Sequence, residues 1–236
     1  MYKLIIALVT LTLFNQACKT KETTPPFKDH YNVVWDTQSK NSSESMPVVG
    51  GDIACNVWVE NGNLLFYLSR SGSFDEHGAY LKLGRVRVKL SPNPFDGAGS
   101  FRQELKLHNG FVEIEGKAKG NSLNARISVW VEVQKPVVHV DVDVNRPVEV
   151  EAAYESWRTE EKELAPGNYD ERFALFNLMV YPGKVVRSKD EISYLDNGVL
   201  FYHRNPEEKI TPEVLIRQQG LEAEAGILAD AEIGRF

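Results

Sequence analysis

Cysteine is almost absent: Cys18 and Cys55 are the only two in 236 residues, which rules out a disulfide framework and any CxxC metal or redox pair. Basic runs are missing beyond Lys21, and 27 Lys and Arg stand against 33 Asp and Glu. That balance leaves no electrostatic footprint for nucleic acid. No Gly-x-Ser-x-Gly, no His-Glu-x-x-His and no phosphate loop occurs, so none of the common hydrolytic or nucleotide motifs is present. Nor does a helix-length amphipathic segment separate the apolar runs, which argues against a parallel α/β sheet. Even the longest apolar stretch near the N-terminus, Leu4 to Phe14, is too short to cross a bilayer comfortably.

That stretch follows Lys3 and precedes Ala17-Cys18, the order of a secretory signal. A small residue before a cysteine at the end of an apolar run resembles the lipobox of bacterial lipoproteins, although Asn15 and Gln16 depart from its commonest residues. Residues 1–18 are therefore expected to be a lipoprotein-type signal with Cys18 as the lipidated residue, and residues 19–27 a polar, Pro-bearing tether. The folded domain is expected over residues 28–236, exported and held in the cell envelope by a lipid anchor in the membrane. On this reading Cys55 is a buried thiol. The alternative, a Cys18–Cys55 bridge in an exported protein, stays open at this stage.

What the chain does have is strand periodicity. Ile53, Cys55, Val57 and Val59 alternate with Ala54, Asn56, Trp58 and Glu60, and Asn61-Gly62 then turns the chain into Leu64 to Leu68. Asn109-Gly110 and Asn197-Gly198 lie between apolar runs in the same way, and three such turns predict an antiparallel all-β chain. Further strands are predicted over Gly84 to Leu90, Ala125 to Val133, Val137 to Val144 and Val148 to Tyr154. Glu160 to Leu164 and Asp170 to Leu178 read as helical or irregular. The fold class that follows is an antiparallel β-sandwich.

Several polar-face residues are candidates for ligand contact. Trp130 stands among Arg126, Ser128 and Glu132, opposite a face formed by Ala125, Ile127, Val129, Val131 and Val133. Trp58 stands likewise between Asn56 and Glu60. An indole on the polar face of a strand suits the C–H face of a pyranose while its neighbours bind hydroxyls, but a second layer or another domain covering that face explains it better. Tyr154-Glu155-Ser156-Trp157-Arg158 puts aromatic, acid and base together at a strand end, either as the rim of a cleft or as a packed corner. The carbohydrate-contact candidates are thus Trp157, Glu155, Arg158, Trp130, Trp58 and Asp52, the last in a turn after Gly50-Gly51. His139, Asp141 and Asp143 share one strand face; they could hold a cation only with added ligands and are explained by solvation alone. No metal, no other cofactor and no catalytic residue is assigned.

Trp35-Asp36, Ser45-Met46-Pro47, Gly50-Gly51-Asp52-Ile53, Asn56-Val57-Trp58-Val59, SRSGSFDE and LKLGRVRVKLSPNPF, with YESWR and LFYHRN further on, resemble the N-terminal domain of the domain-of-unknown-function 5703 family. The resemblance covers most of the exported portion. It implies a galactose-mutarotase-like supersandwich in a bacterial glycoside-hydrolase-like protein, similar to the N-terminal part of family 95-type fucosidases. In such enzymes a helical (α/α)6 barrel carries the catalytic carboxylates, and no run of helices able to build one is legible here. The expectation is a non-catalytic sandwich in glycan processing whose partner is a glycan or a separate helical catalytic domain. A self-sufficient lipid-anchored glycan-binding module and a purely structural surface domain are the alternatives.

Overall fold

The computed structural model describes residues 29–74, 83–97, 99–120, 122–165, 184–202, 216–217 and 219–226. The chain divides into two compact units, Met1–Tyr31 and Asn32–Phe236. The described part of the first is a single 3-10 turn, Asp29–Tyr31. Cys18, the lipoprotein-type signal, the tether and the helical or irregular stretch expected at Asp170 to Leu178 all lie outside the described residues.

The second unit is built on two antiparallel five-stranded sheets. Sheet one has the order β1 (Val33–Trp35), β6 (Ser100–Lys106), β7 (Phe111–Lys117), β8 (Asn124–Val131), β9 (Val138–Val144). Sheet two has the order β10 (Glu149–Glu155), β5 (Gly84–Ser91), β4 (Asn63–Arg70), β3 (Ile53–Glu60), β2 (Met46–Gly50). Two short antiparallel pairs follow, β11 (Lys162–Glu163) with β12 (Val186–Arg187), and the hairpin of β13 (Glu191–Leu195) with β14 (Gly198–Tyr202). Glu160 to Leu164 thus contains a short strand and not a helix.

Alternation dictates the core. Val57, Val59, Leu64 and Phe66 from sheet two meet Val112, Ile114, Ile127 and Val129 from sheet one in one apolar cluster. Burying such side chains contributes roughly 1.5–3 kcal/mol each, so a one-residue slip in register, which would turn every one of them to the other face, is excluded. Val133, expected on this inner face, is instead 73% exposed because β8 ends at Val131. Cys55 is a free thiol buried in the same cluster, and burial pushes its pKa up to about 12. It is accordingly unreactive as a nucleophile.

The three Asn-Gly pairs do different work. Asn61 and Gly62 form a two-residue turn with φ of 49° and 75° between the paired Glu60 and Asn63, as a type I′ hairpin requires. Asn109-Gly110 belongs to a longer connection between β6 and β7. In the last hairpin Leu195 pairs with Gly198, so Asp196-Asn197 makes the turn and Gly198 begins the strand. Gly50 has a steric role: a Cβ there would lie 2.4 Å from the backbone oxygen of Val131. The β2–β3 turn therefore packs directly against the end of β8.

On one side the sandwich gapes. Val138, Val140 and Val142 of β9 and Val150 and Ala152 of β10 line an apolar cleft of about 510 Å³ between the sheets.

The outer face of sheet one is a charge ladder. Glu104 is 7% exposed and accepts hydrogen bonds from Asn32 Nδ2 and Arg102 Nη2, both at 2.9 Å, while Lys106 Nζ lies 2.8 Å away. Burial alone would raise its pKa, but the hydrogen bonds from Lys106, Asn32 and Arg102 and the Lys106 charge outweigh it, taking the carboxyl from 4.5 to about 2. A carboxyl whose pKa is lower folded than unfolded stabilises the fold fully above the unfolded value and loses that contribution as pH falls through the folded one. Urea titrations should therefore show Glu104's contribution fading as the pH drops from 4.5 towards 2, and Glu104→Gln should flatten that part of the profile. An unchanged profile would mean that the ladder does not hold Glu104 ionised.

Candidate functional site

The outer face of sheet two is organised in rows. Cross-strand register places Asn56, Tyr67, Arg85 and Glu155 side by side, and Trp58, Leu65, Arg87 and Ala153 in the next row. Arg85 and Arg87 face the same way because they are two residues apart on β5, with Val86 and Val88 turned to the core. Sequence reasoning passed over both as site residues, although the alternation in Gly84-Arg85-Val86-Arg87-Val88 carries the signal.

Glu155 ends β10 opposite Arg85 and joins these two cations. Arg85 Nε donates to its Oε2 at 2.5 Å and Arg87 Nε to its Oε1 at 2.6 Å. Burial pushes the carboxyl up, but the hydrogen bonds from Arg87 and Arg85, with their charges, hold it below its ordinary value. Glu155 is thus a carboxylate at neutral pH, unsuited to serve as a general acid there.

Aromatic rings line the same face. Trp58 lies 4.8 Å from Tyr67 between ring centroids, and Tyr67 lies 5.6 Å from Trp157. Their exposures differ sharply, with Trp157 at 43% and Trp58 at 1%. Trp58 Nε1 donates to Glu60 Oε2 at 2.9 Å, so both its faces and its polar atom are engaged in packing. Of the two readings open for Trp58, the covering layer is the one that its burial fits: its ring is inside a layer, and Trp157 is the indole that reaches solvent.

Behind Trp157 the chain is clamped. Arg158 Nε donates to Asp190 Oδ1 at 2.6 Å and Ser156 Oγ to Asp190 Oδ2 at 2.7 Å, while the Asp190 backbone N–H donates to the Arg158 carbonyl at 2.8 Å. The carboxylate of Asp190 is 1% exposed. Arg158 is therefore committed to a buried ion pair, which makes it a positioning residue for the turn that carries Trp157.

Trp130 and Asp52 are elsewhere. Trp130, on the outer face of sheet one, stacks on His139 with ring centroids 3.9 Å apart and planes 8° from parallel, and its Nε1 donates to Asp141 Oδ2 at 2.7 Å. One indole face is thus covered by His139. Asp143 stands opposite Arg126 in the register. Among the described residues no group of three or more His, Cys, Asp and Glu is placed to hold a metal ion. Asp52, in the β2–β3 turn, pairs with Arg70 at 2.7 Å, and that hydrogen bond holds its carboxyl below the usual range. Of the six sequence candidates, the structure brings Trp157, Glu155, Arg158 and the packed Trp58 onto or beside one face and leaves Trp130 and Asp52 apart from it.

No curated protein matches the chain. The N-terminal family profile described as a domain of unknown function (DUF5703) matches residues 34–233, a span that takes in every strand from β2 to β14. An all-β sandwich with this match over most of its length is a member of the DUF5703 family, to whose N-terminal domain the chain belongs.

Proposed function

We propose that the chain is a non-catalytic β-sandwich domain of an exported glycan-processing protein, and that the outer face of sheet two, centred on Trp157, is where it contacts sugar. Catalytic carboxylates would be supplied by a separate helical domain, and Cys18 would carry the lipid that holds the protein in the cell envelope. The observation that carries this reading is an indole 43% exposed at the edge of a face where Arg85, Arg87 and Glu155 converge. A sugar ring stacks its C–H face on such an indole, while guanidinium and carboxylate groups beside it bind hydroxyls directionally.

The test is binding of the full chain to a panel of plant and host glycans, with parent and Trp157→Ala compared. Because Trp157 is part-exposed and ends a ring series rather than supporting one, its removal should leave stability within about 1 kcal/mol. Glycan affinity should fall about tenfold or more, the order expected for loss of a ring stack worth ~1–2 kcal/mol. A folded parent that binds no glycan in the panel would sink the reading and favour a purely structural domain.

A further inference from the structure

The open side of the sandwich is flanked by two bare strand edges, and we infer that it receives an extended strand from another polypeptide, added along β9, whose side chains alternate between apolar and basic. β9 and β10 end the order of their sheets, so neither has a partner on its outer edge among the described residues. Only Asn145 to Val148 join the two strands. Both edges therefore lie on the side where Val138, Val140, Val142 and Val150 line the cleft of about 510 Å³, and Val150 is 48% exposed there.

Proteins ordinarily blunt such edges with proline, lysine, a bulge or an inward charge. Here none of these is present. β9 pairs with β8, and β10 with β5, without interruption along their whole length, and the strands VHVDVDV and EVEAAYE hold no Pro and no Lys. Their free N–H and C=O groups form a ladder that an added strand completes. A strand on β9 directs every second side chain into the cleft, against Val138, Val140 and Val142, and the others outward beside Asp141 and Asp143.

Those outward neighbours set the charge. β9 and β10 carry Asp141, Asp143, Glu149, Glu151 and Glu155 but no Lys or Arg. On sheet two the acids are offset one strand further in, where Arg85 and Arg87 hold Glu155 and Lys89 stands opposite Glu151. On β9 the offset is smaller: Arg126, opposite Asp143, already pairs with Glu113 and Glu115, and Asp141 accepts the Trp130 indole N–H. His139 is engaged with Trp130 and Glu132. A basic side chain beside Asp141 or Asp143 is thus favoured, and an acidic one disfavoured. The same rule argues against a second copy of the chain, because every combination of β9 and β10 pairs one acidic strand with another.

The test is the fluorescence anisotropy of labelled seven-residue peptides, matching the length of β9, titrated with the full chain. An alternating Lys-Val peptide should bind about tenfold or more tighter than an alternating Glu-Val peptide, the order expected when several attractive cross-strand pairs replace repulsive ones. Two backbone-methylated forms of the Lys-Val peptide are compared, one with the methyl groups on the Lys nitrogens and one with them on the Val nitrogens. One of the two should lose about tenfold or more, since only one set of N–H groups faces β9. Asp141→Asn combined with Asp143→Asn should abolish the preference for the Lys-Val peptide.

Equal affinity for the Lys-Val and Glu-Val peptides would overturn the inference, as would a preference that survives the double substitution. Undiminished binding of both methylated forms would overturn strand addition. Binding of decanoate without binding of any peptide would replace the strand by an acyl ligand, and self-association without peptide binding would replace it by a second copy. No binding of any of these probes would overturn the inference too and assign the cleft to a segment of this chain. The parent's own discrimination among the peptides decides the matter even where the double variant fails to fold.

Discussion

Alanine in place of Trp58 is expected to destabilise the chain by about 3–5 kcal/mol, the range for deleting a fully buried large aromatic. The ring is 1% exposed and packs 4.8 Å from Tyr67, which in turn supports Trp157. Truncation leaves a void that the rigid rows of β3 and β4 cannot collapse into, and it deprives the Tyr67 ring of its backing. Glycan affinity should fall as well, because Trp157 is held in place through Tyr67. Trp157→Ala, by contrast, should cost affinity with little stability, and Trp58→Phe should recover much of the loss seen with alanine. Urea midpoints at unchanged slope provide the comparison. If Trp58→Ala were no more destabilising than Trp157→Ala, the covered layer on sheet two would not exist in solution.

Trp58 and Trp130 together show where sequence reasoning stops. Trp58 and Trp130 read alike, each an aromatic among polar neighbours on a strand, and period two assigns both to an outer face. Period two says nothing about what covers that face. Whether a second layer lies over it depends on segments far away in sequence, as the 70-residue separation of Arg85 from Glu155 illustrates. Arg85 and Arg87 were legible as a pair on one face, but the single carboxylate they share was not.

The strands were legible where both sides of the alternation were clean and were missed where they were not. β2 contains Pro47 and ends in Gly50, a composition that reads as loop. It is tolerated because β2 is an edge strand, where a missing N–H need not break a ladder. The start of β6, Ser100 to Gln103, was missed for another reason. Its inward-facing Gln103 is polar yet 0% exposed, donating from Nε2 to the Val57 carbonyl at 3.3 Å. A buried glutamine breaks the apolar alternation on which strand reading depends, and its pairing with a carbonyl of the opposite sheet is a tertiary fact.

Removing the Asp190 carboxylate should have an effect comparable to the loss of Trp58, by an electrostatic route. Asp190→Ala takes from Arg158, whose side chain is 12% exposed, the carboxylate it pairs with at 2.6 Å, and breaking a buried pair from one side costs about 3–5 kcal/mol. It also strips Ser156 Oγ of its acceptor. Replacing both partners, Arg158→Met with Asp190→Leu, should cost less than Asp190→Ala alone, because no charge is then stranded. The functional consequence differs between the variants. Ser156 and Arg158 flank Trp157, and their bonds to Asp190 fix the turn on which the indole is carried. Even the apolar double variant should therefore bind glycan more weakly than the parent while recovering much of its stability. Should the double variant keep full glycan affinity, the clamp would be a stability device alone and Trp157 would owe its position to Tyr67. Should it lose affinity as expected, the ion pair and the aromatic series would together be what holds the indole ready for a ligand.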